Sequence, residues 1–446
     1  MSSNSTTVNQ VSPTSRRGLA RVVASSTTGM ALEAYDFLLY GSAAALVFNK
    51  LFFPTEDPIV GTLLAFLSYA LGFFARPVGG IMFGHFGDRI GRKPLLIISL
   101  VLMGGATFAI GLLPTYAMIG VWAAVALSAL RLIQGFALGG EWGGAMLLVA
   151  ERVPARRRGA WTSLPEAGIP LGNLIATGVL AVLAATLDDV AFLDWGWRIP
   201  FLLSAVLLVV GYWIRSKVED APLFVEAHER AESAVAAEAP ARTVLREHRR
   251  ELAACASARL TENIVYYVLT AFILVYAVER SGVDKGVVLN ALVLANVVQL
   301  VATPFFGALS DKLGRRPVLL GGAIGTAGWI WVFFWLLDTG NSALVFVAMV
   351  GGLIFHSALY GPQAAFFAEQ FPTTVRYTGM SISAQVTTVI GGAIAPLIAI
   401  ALLGAFDSSI PVAIYVATAA VITVIGVGLA RESHRRDLAT MRDTTN

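Results

Sequence analysis

The sequence predicts an all-α membrane protein of twelve transmembrane helices arranged as two six-helix bundles. Three observations predict it. First, 56% of the 446 residues are hydrophobic and only 14% are charged, against about 25% charged in a soluble domain, and the mean hydropathy is +0.71. Second, the apolar residues fall in long runs, near the ~20 residues a helix needs to cross a bilayer. Helices are required because a chain in lipid must satisfy its own backbone hydrogen bonds. Third, the segment Gly84-His-Phe-Gly-Asp-Arg-Ile-Gly-Arg-Lys-Pro94 returns as Gly307-Ala-Leu-Ser-Asp-Lys-Leu-Gly-Arg-Arg-Pro317, half a chain later. Gly, Asp, Gly, Arg and Pro recur in register, and both copies lie between apolar spans. Such self-similarity marks a duplicated membrane protein.

Residues 1–21 are rich in Ser and Thr and lack the apolar core of a cleaved signal peptide, so they read as a cytoplasmic tail. Twelve spans follow, at 22–48, 60–83, 95–112, 118–149, 161–186, 198–214, 255–279, 287–309, 317–337, 343–368, 378–403 and 410–430. Residues 22–214 form the N-terminal bundle and 255–430 the C-terminal bundle. Between them, 215–254 is a cytoplasmic linker rich in Ala, Glu and Arg, and 431–446 is a cytoplasmic tail. With both termini inside, 25 of the 32 Lys and Arg fall in cytoplasmic segments, and the outer loops hold only Lys50, Arg280 and Lys285. This is the asymmetry that sets membrane topology. A second pairing supports the duplication: Ala150-Glu151, Pro154 and Arg158 follow span 4, and Ala368-Glu369, Pro372 and Arg376 follow span 10 at identical spacing.

Composition also excludes classes. The single cysteine, Cys255, leaves no internal disulfide and no multi-cysteine metal site. The five histidines are scattered, and neither a metalloprotease helix, a nucleophile elbow nor a phosphate-binding Gly-Lys-Ser/Thr loop is present. The reading is therefore no enzyme, no catalytic residue, no cofactor and no metal. The net charge of +3 belongs to topology, not to nucleic-acid binding. A monomer in the lipid bilayer is expected.

In the repeated loop, glycines permit a tight turn, and Asp88 can face a helix N-terminus or a neighbouring arginine. Gly84, Asp88, Arg89, Gly91 and Arg92, with Asp311, Gly314 and Arg315 of the second copy, read as a gating latch that closes in one conformation and releases in another. This loop resembles the signature of the major facilitator superfamily. Glu33-Ala-Tyr-Asp-Phe-Leu-Leu-Tyr40, Arg76-Pro-Val-Gly-Gly80, Arg131-Leu-Ile-Gln-Gly-Phe-Ala-Leu-Gly-Gly-Glu-Trp-Gly-Gly144, Trp195-Gly-Trp-Arg-Ile-Pro-Phe201 and Arg376-Tyr-Thr-Gly379 narrow the resemblance to its metabolite:proton symporters. That group includes permeases for shikimate, α-ketoglutarate, citrate and proline or betaine. Ala34, where the family usually has Trp, and Glu166 depart from its pattern. The resemblance implies the major facilitator fold in the inner membrane. It further implies a proton-coupled symporter that imports a small organic anion, such as shikimate or another carboxylate metabolite, by alternating access. The alternative on the same fold is a proton-coupled exporter of drugs or metabolites.

Charges inside spans cost at least ~2.5–3.5 kcal/mol each on insertion scales, so those retained need a partner or a task. Glu33, Asp36 and Tyr40 share one face of span 1. Arg131, with Gln134, lies at similar depth in span 4. The expectation is that Asp36 and Arg131 meet across the N-terminal bundle, with Asp36 taking the proton and Arg131 the substrate carboxylate, and with Tyr40 and Gln134 also binding the substrate. Glu33, Glu141 and Glu166 are further proton-coupling candidates. Span 7 offers Asn263, Tyr266 and Tyr267 as the opposite, substrate-facing wall, joined by Gln385 of span 11, with Arg259 and Glu262 paired on the same helix.

Overall fold

The computed structural model describes residues 16–90, 92–139, 141–217, 240–436 and 438, and among these helix is the only regular structure. The spans are α1 (Gly18–Leu51), α2 (Pro58–Ile90), α3 (Arg92–Leu112), α4 (Val121–Ala150), α5 (Ala155–Thr186) and α6 (Asp189–Gly196 with Arg198–Trp213). The second six are α7 (Arg249–Arg280), α8 (Lys285–Leu313), α9 (Arg315–Asp338), α10 (Ser342–Gln370), α11 (Arg376–Phe406) and α12 (Ile410–Leu429). Among the described residues, ten helices are long and apolar enough to cross a membrane, α6 is an eleventh if its two pieces, bent by 41°, count as one span, and α3 contributes the shorter apolar stretch Ile97–Leu112. The chain is a multi-pass membrane protein. Its outward faces carry apolar side chains such as Val301, Ile324, Trp335 and Ile425, as expected where lipid is the solvent.

The duplication is visible in which helices touch. In the first half α1 packs on α5, α2 on α4, α3 on α4 and α6. In the second, α7 packs on α11, α8 on α10, and α9 on α10 and α12. Every pair is repeated six helices later. The halves meet through α5 against α8 and α2 against α11, which exchange under the same operation. Local irregularities are similar too: Pro77 lies inside α2 and Pro304 inside α8, one helical turn apart in the shared register. A π-helical turn at Ala44–Phe48 in α1 recurs at Val268–Phe272 in α7. Such turns often mark functional positions in helices.

Close approach of α2 and α4 depends on glycine. A Cβ on Gly135 would lie 1.9 Å from the carbonyl oxygen of Gly72, and one on Gly79 would lie 1.9 Å from that of Phe136. Small residues of this kind let transmembrane backbones touch. Gly135→Ala is expected to force the helices apart at a cost of about 1–3 kcal/mol, read as a lower unfolding midpoint of the detergent-purified protein. An unchanged midpoint would show that the contact is not tight.

Candidate functional site: a buried arginine in the first bundle

The α2–α4 contact carries Arg131 into the interior. Its side chain is fully buried. Nε donates to the Tyr69 carbonyl oxygen at 3.2 Å and Nη1 to Gln134 Oε1 at 3.0 Å, while Nη2 has no partner. Three rings surround the guanidinium: Cζ lies 3.7 Å from the centre of Phe37 and 4.5 Å from those of Tyr40 and Tyr69. Aromatic faces attract a cation but do not neutralise it. Arg76 packs on Phe37 as well, at 4.2 Å, with Glu33 within electrostatic reach. The Tyr40 hydroxyl is bonded to Ser68 Oγ at 2.8 Å, so Tyr40 presents its ring, not its oxygen, to the arginine.

Asp36 and Arg131 do not form the expected ion pair; among the described residues the link between them is indirect. Gln134 Nε2 donates to Thr107 Oγ1 at 2.8 Å, and that hydroxyl donates to the Met103 carbonyl oxygen at 3.0 Å. The same hydroxyl faces the Asp36 carboxyl, whose Oδ1 has no partner. The chain of contacts is Arg131–Gln134–Thr107–Asp36, from α4 through α3 to α1. The guanidinium is instead packed against the rings of Phe37, Tyr40 and Tyr69 and bonded to Tyr69 and Gln134, while the Asp36 carboxyl faces Thr107.

The opposite wall also differs from expectation. Arg259 does not pair with Glu262. Its Nη1 donates to Gln363 Oε1 at 2.5 Å, and its Cζ lies 4.5 Å from a Trp142 ring centre. Glu262 instead faces His356, Oε1 to Nε2 at 3.1 Å, and accepts from Asn263 Nδ2 at 3.0 Å. Gln363 and His356, the partners that replace the expected pair, both come from α10. Asn263 also donates to the Arg259 carbonyl oxygen and so braces its own helix. Tyr266 lies over His356 with centres 4.8 Å apart. Tyr267 reaches across to the first half, meeting Phe73 at 5.4 Å and Tyr69 at 6.2 Å. The two walls are thus in contact. Glu166 is fully buried in α5, with Arg259 and Glu262 as its charged neighbours, and Gln385 Oε1 is buried without a partner. The side chains of Glu141 and of Gly84–Lys93, and Gly91 itself, lie outside the described residues.

The second copy of the repeated loop binds the halves together at one end. Asp311 accepts from the backbone N–H groups of Gly159 and Ala160, both at 2.9 Å, at the start of an α5 segment, where a carboxylate complements the helix dipole. Arg315 Nη1 donates to Asp311 at 2.7 Å, and its Nε and Nη2 form a fork on Glu369 at 3.1 and 3.0 Å. Arg158, from the other half, donates to the same carboxylate at 2.7 Å. Arg376 meets Glu151 at 3.2 Å. Backbone contact is close here: a Cβ on Gly159 would lie 2.4 Å from the Gly307 carbonyl oxygen. Just beyond α12, burial raises the pKa of Glu432, but the backbone N–H groups of Arg315, Arg316, His434 and Ser433 outweigh it and hold the carboxyl below its ordinary value. Gly314, at φ 104°, makes the turn that aims Arg315 inward.

Glu369 is fully buried between two arginines, so Glu369→Gln leaves two buried cations short of a countercharge. Breaking a buried pair in this way costs about 3–5 kcal/mol. The expected result is a shift toward the form open at this end, read as a longer distance between spin labels at the exposed positions Arg157 and Leu313. An unchanged distance distribution would mean the network does not hold the halves closed. Among the described residues no group of three or more His, Cys, Asp or Glu is placed to hold a metal ion.

Thr107 and Gln299 escaped sequence reasoning. Thr107 is one hydroxyl in an apolar span, where such residues are common. Gln299 carried a usable signal, because Asn296 and Gln299 are two amides three residues apart inside an otherwise apolar run.

Comparison with known proteins agrees with this architecture. The model of the Major Facilitator Superfamily matches residues 37–396 and 282–440. The chain is 38% identical to the shikimate transporter of Escherichia coli K12 over 93% of its own length and 95% of that protein's. It is 37% identical to the inner membrane metabolite transport protein YhjE of the same strain, over 94% and 95%. It is 30% identical to the E. coli K12 proline/betaine transporter, over 94% and 85%. Among solved structures, a D-xylose–proton symporter superposes with a TM-score of 0.72 at 17% identity, covering 92% of this chain and 96% of that one.

Proposed function

We propose that this chain, which belongs to the Major Facilitator Superfamily, is a proton-coupled symporter importing a small carboxylate, with shikimate the first candidate. It is a transporter, not an enzyme. The observation that carries the reading is Arg131: a fully buried guanidinium, ringed by aromatic faces, with no carboxylate partner among the described residues and Nη2 unpaired. A buried cation without a countercharge is costly, and an anionic substrate supplies one. The similarity to a shikimate transporter supports a hydroxylated ring acid, which the aromatic rings around Arg131 suit by stacking and the unpartnered Tyr69 hydroxyl by hydrogen bonding.

Coupling runs through Thr107. A hydroxyl has one proton and two lone pairs. With Asp36 protonated, Thr107 accepts from both Asp36 and Gln134 and donates to the Met103 carbonyl oxygen, so the hydroxyl's one proton and two lone pairs are all used. With Asp36 ionised, the Thr107 proton must turn to the carboxylate, and the Met103 bond is lost. Gln134 then adjusts, and with it the hold on Arg131. In the cycle proposed here, the proton binds Asp36 from outside, the anion docks on Arg131, and the halves rock about the α2–α11 and α5–α8 contacts. The network at Asp311 and Glu369 releases as the other side opens.

The excess of Lys and Arg in those segments supports a cytoplasmic position, at the inner membrane, for that network, both termini, the linker 215–254 and the tail 431–446. Residues 22–214 and 255–430 are the two moving bundles. One chain contains the whole route, so the unit of function is a monomer. The test is uptake into proteoliposomes under an inward proton gradient, with labelled shikimate, α-ketoglutarate, benzoate and proline run side by side, with and without a protonophore. Protonophore-sensitive accumulation of one acid is expected. Accumulation of none, together with proton-driven loss of a preloaded dye, would replace import by export.

A further inference from the structure

Glu262, His356 and Gln299 form a polar chain that the route through Asp36 does not use. It joins α7, α10 and α8, all in the second half. His356 is 1% exposed, and Gln299 and Glu262 are also buried. The two ring nitrogens have different partners: Nε2 meets Glu262 Oε1 at 3.1 Å, and Nδ1 meets Gln299 Nε2 at 2.7 Å. Gln299 Oε1 has no partner. Around the ring stand Tyr266, at 4.8 Å between centres, and Tyr360, at 5.5 Å. The charged groups facing the Glu262 end are Arg259 on its own helix and Glu166 from α5, with Tyr267 beside them.

We propose that Glu262, His356 and Gln299 are a second proton-binding site, in the opposite bundle from Asp36. The inference rests on the proton-coupled reading above. The hydrogen-bond inventory defines both states. As found, the Gln299 amide N–H donates to Nδ1, which must therefore be an acceptor. The ring proton is then on Nε2 and donates to the Glu262 carboxylate. The ring is neutral and the triad carries one negative charge. An added proton goes to Nδ1, which then needs an acceptor. Rotation of the Gln299 amide about its last bond puts Oε1, unpaired until then, where the N–H was. The ring becomes an imidazolium between a carboxylate and an amide oxygen, and the triad is neutral overall. Few side chains but an amide can serve both states without moving the helix. Asn263, donating to Glu262 Oε2, keeps the carboxylate aimed at the ring in each.

The experiment needs no substrate. Full-length protein carrying 15N-histidine and 13C-glutamate is reconstituted in lipid bilayers, and its imidazole nitrogens are followed by solid-state NMR between about pH 5 and pH 9, which spans the range in which histidine commonly changes charge. His356→Gln assigns the buried ring among the five histidines. A cross-peak from Nε2 to a glutamate carboxyl carbon, lost in Glu262→Gln, assigns it independently should the His356 variant fail to fold. The expected result is a neutral ring protonated at Nε2 at the alkaline end and a doubly protonated ring at the acid end. Glu262→Gln removes the countercharge and is expected to raise the acidity needed for the same doubly protonated fraction about tenfold. Gln299→Leu, which removes the acceptor, should act in the same direction. A His356 signal that keeps one tautomer over the whole range, or that ignores both variants, overturns the proposal. Failure of every acid in the uptake test would leave this titration intact, and a static ring would leave the uptake result intact.

Discussion

Asp36→Asn is expected to abolish proton-driven accumulation while leaving counterflow exchange in place. One proton moving with one monovalent anion is electroneutral, so only the pH difference drives it. Each unit of pH is worth 1.36 kcal/mol, or about tenfold in concentration. Under a gradient of about one unit, the native protein should therefore concentrate a carboxylate roughly tenfold per coupled proton, and the variant should only equalise it. Asparagine holds a fixed donor and acceptor and imitates the protonated acid toward Thr107, so the loaded form is still available for exchange. The measurement is the steady accumulation ratio beside the counterflow rate in the same vesicles. An undiminished ratio would remove Asp36 from the coupling. A ratio near a hundredfold in the native protein would itself require a second proton, which the Glu262–His356–Gln299 chain is positioned to bind.

The fold was legible because lipid imposes few solutions. Apolar runs long enough to cross, the Lys and Arg asymmetry and the repeat from Gly84 to Gly307 each point to twelve helices in two related halves. The helix contacts, which repeat six helices later, follow that duplication. Arg131 was legible as a charge retained at a cost inside a span. Its surroundings were not. Hydropathy sees Phe37 as one more apolar residue, and nothing in spacing says that its ring packs against Arg131 while Asp36 faces Thr107. Arg259 and Glu262 illustrate the same limit. A separation of three residues permits a pair on one helix, but α10 brings His356 and Gln363 nearer, and tertiary partners win over a local one. Glu369 was seen as part of a repeated spacing. Its position between Arg158 and Arg315 depends on how α5, α9 and α10 come together at that end, which one chain's sequence does not specify.

Arg131→Lys should separate substrate binding from proton coupling, because it is expected to lose both accumulation and counterflow at acid concentrations that suffice for the native protein. The charge is kept, yet three features go. Lysine has no planar fork to hold a carboxylate at two points. It cannot keep the Tyr69 carbonyl, the Gln134 amide and a substrate oxygen in one plane, as Nε, Nη1 and Nη2 of the guanidinium do. A compact, strongly hydrated ammonium also suits the Phe37, Tyr40 and Tyr69 faces less well than a delocalised guanidinium. A charge-assisted hydrogen bond lost at a buried site is worth about 1.5–3 kcal/mol, so the concentration of acid for half-maximal counterflow should rise by about ten- to a hundredfold. The contrast with Asp36→Asn is the decisive part. If Arg131 only served to balance charge in the bilayer, the lysine variant would exchange substrate as the native protein does, and the two variants would not divide the cycle into binding and coupling. If Arg131 holds the anion, exchange fails with arginine replaced and survives with Asp36 replaced.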